Sequence, residues 1–135
     1  MTQPLNVFTV AGRAMSAQLL RLNTNASNLA NAGSTATTAA GAYRAIKPVF
    51  RTSYDNATGL ATVDVERVVS AGPAATKRHD PGNPLANADG DVFVSAVDET
   101  QELVEMMETS RQYQNNVEVM NTAKTLVLDT LKLGK

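Results

Sequence analysis

From Asp98 to Leu133 the chain runs without a single proline or glycine, and no other part of its 135 residues stays free of helix breakers for so long. Leu103, Met106, Tyr113, Val117, Met120, Val127 and Leu131 recur alternately three and four apart, a heptad seam interrupted only at Ser110 and Lys124. Asp98 can cap such a helix while Gln101 reaches back to it, and Glu99 and Glu102 sit where the dipole favours negative charge. Lys132 and Gly134 suit its other end. Past Asn116 a second stripe joins the first: Val119, Ala123, Leu126 and Leu133 repeat the spacing one face over. A helix apolar over most of its circumference needs several neighbours.

The other end of the chain mirrors this one. Phe8, Gly12, Met15, Leu19, Leu22, Ala26 and Leu29 again alternate four and three, and Pro4 suits a first helical turn. At 1.5 Å per residue Leu5 to Leu29 spans about 36 Å and Leu103 to Leu131 about 42 Å, so the two can lie side by side for most of their length. A bundle would need a third apolar helix, and residues 34–97 offer none. Aromatic content is 4% with no Trp, which leaves Ala, Val, Leu and Met to build any core. Burying one large aliphatic side chain gains about 1.5 to 3 kcal/mol, against about 1 to 2 kcal/mol for each residue of backbone ordered. Two helices of this length therefore call for faces supplied by other molecules.

The middle reads as a small insert. Ser34 to Ala42, rich in Ala and Thr, has no periodicity and is expected to be a flexible linker. Residues 43–69 predict a β-hairpin, with Pro48 holding the first strand to an edge, a turn at Asp55 to Gly59, and alternation around Val63 and Val65. Ser70 to Gly90 is dense in turn formers and predicts an irregular loop, followed by a short strand at Asp91 to Val97. The expected fold is mainly α: long N- and C-terminal helices (1–33 and 98–135) pairing as an antiparallel coiled coil, with a linker (34–42) and a small β-rich insert (43–97) between them.

Function classes narrow by elimination. A net charge of −1 with pI near 5.8 argues against a nucleic-acid or anionic-membrane surface, and no window approaches the apolar length of a membrane span. The first charge is Arg13, so no basic region precedes an apolar core, and no cleavable secretory signal is expected. Without Cys there are no disulfides and no thiolate chemistry. Asn87 to Gly90 has the shape of a calcium loop, but its first and last ligand positions fall on Leu85 and Ala96. His79 is the only imidazole and has no second ligand at metal spacing, and no nucleophile elbow, phosphate loop or zinc-protease motif occurs. An enzyme is not expected, nor a cofactor.

Three blocks carry a resemblance. The first is Leu22-Asn23 followed by Ala26-Ser27-Asn28-Leu29-Ala30-Asn31-Ala32. The second combines Tyr43-Arg44-Ala45 and Pro48-Val49-Phe50 with the Pro- and Gly-rich run from Asp80 to Gly90. The third runs from Ser110 to Lys124, with Thr130 to Gly134 as an ending. Together they resemble the flagellar rod and hook axial protein family, and the Asp80 to Gly90 block is similar to its proximal-rod members. Gly33 stands where the family usually has Asn or Asp, and Asp91 replaces an aromatic. The resemblance implies a structural subunit of the basal-body rod, stacking with copies of itself and other rod subunits into a hollow shaft that spans the periplasm and transmits torque. It also implies passage through the flagellar type III export apparatus without a cleavable signal.

On that basis the expected subunit-packing residues are Met15, Leu19, Leu22 and Leu29 on the first helix, facing Leu103, Met106, Tyr113, Val117, Met120 and Val127 on the second, with outer contacts from Val119, Leu126 and Leu133. Asn28, Asn31 and Asn121, poor helix formers, are candidates to bond neighbouring backbones. Two alternatives stand beside this reading: a coiled-coil adaptor or export chaperone whose helices meet a client, and a different axial subunit sharing the terminal signatures.

Overall fold

The computed structural model describes residues 4–134, so the first three residues of the expected N-terminal helix lie outside the described residues, as does Lys135. Helix α1 (Pro4–Ala30) is followed by strands β1 (Thr35–Ala36), β2 (Ile46–Asp55), β3 (Leu60–Ser70), β4 (Thr76–His79) and β5 (Asp91–Val94), and the chain closes on helix α2 (Glu99–Leu133). The strands form two separate antiparallel sheets, the hairpin β2-β3 and a three-stranded sheet in the order β1-β5-β4.

Local chemistry accounts for the element ends. Asp98 caps α2, accepting from the backbone N–H groups of Thr100 (2.9 Å) and Gln101 (3.1 Å). Gln101 does not complete the expected box, since its amide donates forward to Glu105 Oε1 (3.1 Å). In the hairpin turn the Asp55 carboxylate accepts from the Ala57 N–H and the Thr58 hydroxyl, and Gly59, at φ 69°, takes the left-handed step that a side chain would oppose. A bulge between Val49 and Phe50 lets Glu66 stand unpaired on the opposite strand.

The helices are antiparallel. Gln18 bonds Gln112 (2.7 Å), Arg21 and Asn25 share a cavity with Glu105, and Val10 and Ala11 share another with Asn116 and Val119. As numbering rises along α1 it falls along α2. Extrapolating this register at 1.5 Å per residue sets Pro4 opposite about residue 126, so the last turns of α2 run past the described start of α1.

The contact face of α2 is displaced from the seam expected of it. Met106, Tyr113, Met120 and Val127 are partly buried as that seam requires, but the intervening buried positions are Glu102, Thr109 and Ala123, each one residue before Leu103, Ser110 and Lys124. The two interruptions in the sequence pattern mark this shift. A polar Ser and a charged Lys interrupt a seam read one residue too late, and Thr109 and Ala123 fill the same turns with small side chains that let the helices approach. Thr109 satisfies its buried hydroxyl on the carbonyl of Glu105 (2.7 Å).

The base of the hairpin is fastened to α1 by the Asn28 amide. Asn28 is fully buried, donates to the Ile46 carbonyl (2.9 Å), and accepts from the Ile46 N–H (2.8 Å) and the Tyr43 hydroxyl (2.9 Å). It pairs with Ile46 as a neighbouring strand would, so this Asn does bond a backbone, one within its own chain. Asn31 bonds the Ser27 carbonyl of its own helix. Asn28→Ala strands the N–H and C=O of Ile46 and should cost about 3 kcal/mol or more, at 1 to 3 kcal/mol for each orphaned group. Urea unfolding of the isolated chain checks this.

Two departures concern the insert. The Ala/Thr-rich stretch expected to be a linker contributes β1, which pairs Thr35 with Val94 and Ala36 with Phe93, and the Ser34 carbonyl accepts from Ser95 (2.8 Å). The irregular loop contains β4, whose residues Thr76-Lys77-Arg78-His79 are all exposed. Both strands are held by backbone pairing to β5 and carry no apolar alternation, so no periodicity announced them.

Candidate assembly surface

Among the described residues, the buried apolar core is Ala11, Ala17, Ala42, Ala45, Ala123 and Val92. Five of the six are alanines, the smallest side chains able to pack at all. Many large apolar side chains lie outside: Val7 and Leu19 on α1, Phe50, Tyr54 and Val68 on the hairpin, Leu85 between β4 and β5, and eight more along α2. On α2 they fall into two groups. Leu103, Val104 and Met107 occupy one face near its start, and Val119, Leu126, Leu128, Leu131 and Leu133 cover its distal half, with Leu126 62% and Leu133 88% exposed. Monomeric proteins rarely leave so much contiguous apolar surface in water, and such surface marks an interaction site.

The expected packing residues divide accordingly. Met15, Leu22, Leu29, Met106, Tyr113, Val117, Met120 and Val127 are half-buried within the single chain. Leu19, Leu103, Val119, Leu126 and Leu133 point into solvent. Sequence reasoning passed over Val104 and Met107, which extend the same exposed faces, and over Ala17, whose small size carries no periodic signal; it set Ala123 on the outer stripe, whereas the chain buries it.

Charge pairs brace this scaffold. Arg13 bridges α1 to Asp64 of β3 (2.7 Å), and Lys47 bridges β2 to Glu105 of α2 (3.1 Å). Partial burial pushes the Glu105 carboxyl up, but hydrogen bonds from Lys47 and Gln101 outweigh it and hold the group below the usual glutamate value. In the three-stranded sheet the buried Asp91 carboxylate joins Lys77 (2.5 Å) and His79 Nδ1 (2.9 Å), fixing β4 against β5. The Lys77 hydrogen bond, then that of His79, keeps Asp91 below the ordinary aspartate range. A lowered carboxyl contributes stability that is complete above its unfolded value and is lost as pH falls through the lower folded one. Amide protection in β4 should therefore weaken below about pH 4, the ordinary aspartate value. Asp91→Asn should abolish this dependence, as pH-resolved NMR of the β4 amides would show. No group of three His, Asp or Glu among the described residues could hold a metal, and none of their helices is long and apolar enough to cross a membrane.

Both ends of the chain match families of known proteins in sequence. A family model described as "Flagella basal body rod protein" matches residues 8–36, most of α1 and the turn after it, and one described as "Flagellar basal body rod FlgEFG protein C-terminal" matches residues 92–133, β5 and α2. The chain is 46% identical over 133 residues to the flagellar basal-body rod protein FlgC of Salmonella typhimurium, covering 97% of this chain and 98% of that one. It is 44% identical over 131 residues to that of Escherichia coli O6:H1, with the same two coverages, and 35% identical over 133 residues, again with the same coverages, to that of Buchnera aphidicola from Acyrthosiphon pisum.

Proposed function

We propose, for a chain that belongs to the flagellar basal-body rod protein FlgC family and is a structural subunit of that rod, that it builds the proximal segment by lending the exposed faces of α2 to neighbouring subunits. One observation carries this reading: the chain buries alanine and exposes leucine, so its apolar balance closes only when other subunits cover the distal half of α2. Copies of itself and other rod and hook components are the partners. The α1-α2 pair, extended across subunits, forms the coiled-coil wall of a hollow shaft, with Leu19, Leu103, Val119, Leu126 and Leu133 at the contacts between subunits and the half-buried seam residues keeping each pair straight. Torque then passes through packed side chains, since no hinge interrupts α2.

The same reading puts the subunit in the part of the rod that crosses the periplasm, delivered through the flagellar type III export apparatus. A chain with no disulfide and an alanine core is readily unfolded for passage through a narrow channel. Deleting the gene should remove rods and motility, and the wild-type chain supplied in trans should restore both. The same chain carrying a folded, unfolding-resistant domain at its N-terminus should be expressed but not exported. Normal motility with that fusion would contradict the export route, and intact rods in the deletion strain would contradict the rod function and favour a client-binding adaptor.

A further inference from the structure

At the start of α2 a groove of about 420 Å³ opens between the base of the hairpin and the helix, walled by Ala45, Ala71, Pro73 and Val97. Glu102 lines it. This side chain is only 4% exposed, and its Oε2 is buried without a hydrogen-bond partner. A carboxylate oxygen in that state costs free energy that a donor entering from outside would recover. The neighbouring charges are already engaged: Lys47 pairs with Glu105, and Asp98 caps the helix.

We infer that this groove receives the C-terminal end of α2 from a second copy of the chain, with the Lys132 ammonium donating to Glu102. Lys132 is on the turns of α2 that run past the start of α1, its side chain is 78% exposed, and its one ion pair is a long contact of 3.7 Å with Asp129 on the same helix. Leu131 and Leu133 flank it, exposed, and match the apolar walls of the groove. Glu102 and Lys132 stand about 45 Å apart along one rigid helix at 1.5 Å per residue, so they meet only between copies. Two α2 helices paired antiparallel would make this contact twice and close a dimer, whereas a head-to-tail arrangement makes it once per junction and repeats along the helix axis, and we take the latter, as a rod requires. The inference rests on the rod reading and specifies how one subunit seats on the next.

Charge exchange tests it in cells that carry the chain as their only copy. Glu102→Lys and Lys132→Glu should each lower the yield of rods in isolated basal bodies by about tenfold or more, with export unchanged, and the double variant should recover most of that yield. Because the chain has no cysteine, Gln101→Cys with Leu133→Cys should cross-link copies of the chain within basal bodies into a ladder of species at multiples of its 14.3 kDa, where a closed dimer would stop at twice that mass. A double variant no better than the single ones overturns the proposal, and so does cross-linking to a different protein, or none, in basal bodies that assemble normally. If the cysteine pair prevents assembly, the charge exchange decides alone. Absence of the wild-type chain from basal bodies would instead refute the rod reading itself.

Discussion

Cells whose only copy carries Leu126→Asp are expected to synthesise and export the protein and to build no rod. Leu126 is 62% exposed in the single chain, so a carboxylate there meets water, and the fold should change by no more than about 0.5 kcal/mol. Assembly reverses this balance. Once a neighbouring subunit covers the distal half of α2, the same carboxylate loses its hydration with no cation placed to compensate, a penalty of several kcal/mol that recurs at every subunit. Electron microscopy of basal bodies, with secreted protein quantified alongside, separates a failure to assemble from a failure to export. Rods of normal number and length would mean that this face of α2 looks into a water-filled space in the assembled object.

The opposite pattern is expected at Ala17, which is 4% exposed on the side of α1 that meets β3. Ala17→Asp sets a carboxylate in a space shared with Ser16, Leu20, Val63 and Asp64, near a second acid whose Arg13 is already engaged. Overpacking costs about 1 to 3 kcal/mol and an unpaired buried charge about as much again, and together they exceed what a core of five alanines and a valine can spare. The isolated chain should lose the docking of its hairpin on α1, seen as loss of amide protection in β2 and β3. Ala26→Asp is the control. The heptad reading set Ala26 on the seam, yet it is exposed, so this change should stay within about 1 kcal/mol of wild type. Equal damage at both positions would restore the seam read from spacing.

That contrast shows where the sequence could be read and where it could not. Both terminal helices were legible because α2 lacks breakers, and because Asp98 and Pro4 mark their starts. The hairpin was legible through Asp55, Gly59 and the alternation around Val63. The register of the helix pair was not, since the seam read from spacing ran through Leu103, Ser110 and Lys124, whereas the chain buries Glu102, Thr109 and Ala123, one residue earlier in each turn. In a subunit meant to be covered by others, the large residues report the outer faces as much as the inner one. Strands β1 and β4 escaped for a different reason: each is an edge strand held by the backbone of β5, and backbone pairing leaves no pattern in side chains. Asn28 could be suspected as a helix-disfavouring residue, but its pairing with Ile46 became visible only when the hairpin was placed against α1.

Whether neighbouring subunits cover α2 is open to direct chemical measurement, because the natural chain has no cysteine and each introduced thiol reports a single position. With Val104→Cys and Leu126→Cys, both more than half exposed in the single chain, maleimide should label the purified free protein quickly. In isolated basal bodies the same thiols should react at least about tenfold more slowly, as interface burial excludes the reagent. Equal labelling rates in the free chain and in basal bodies that contain it would contradict the claim that the exposed faces of α2 are the surfaces on which the rod is built.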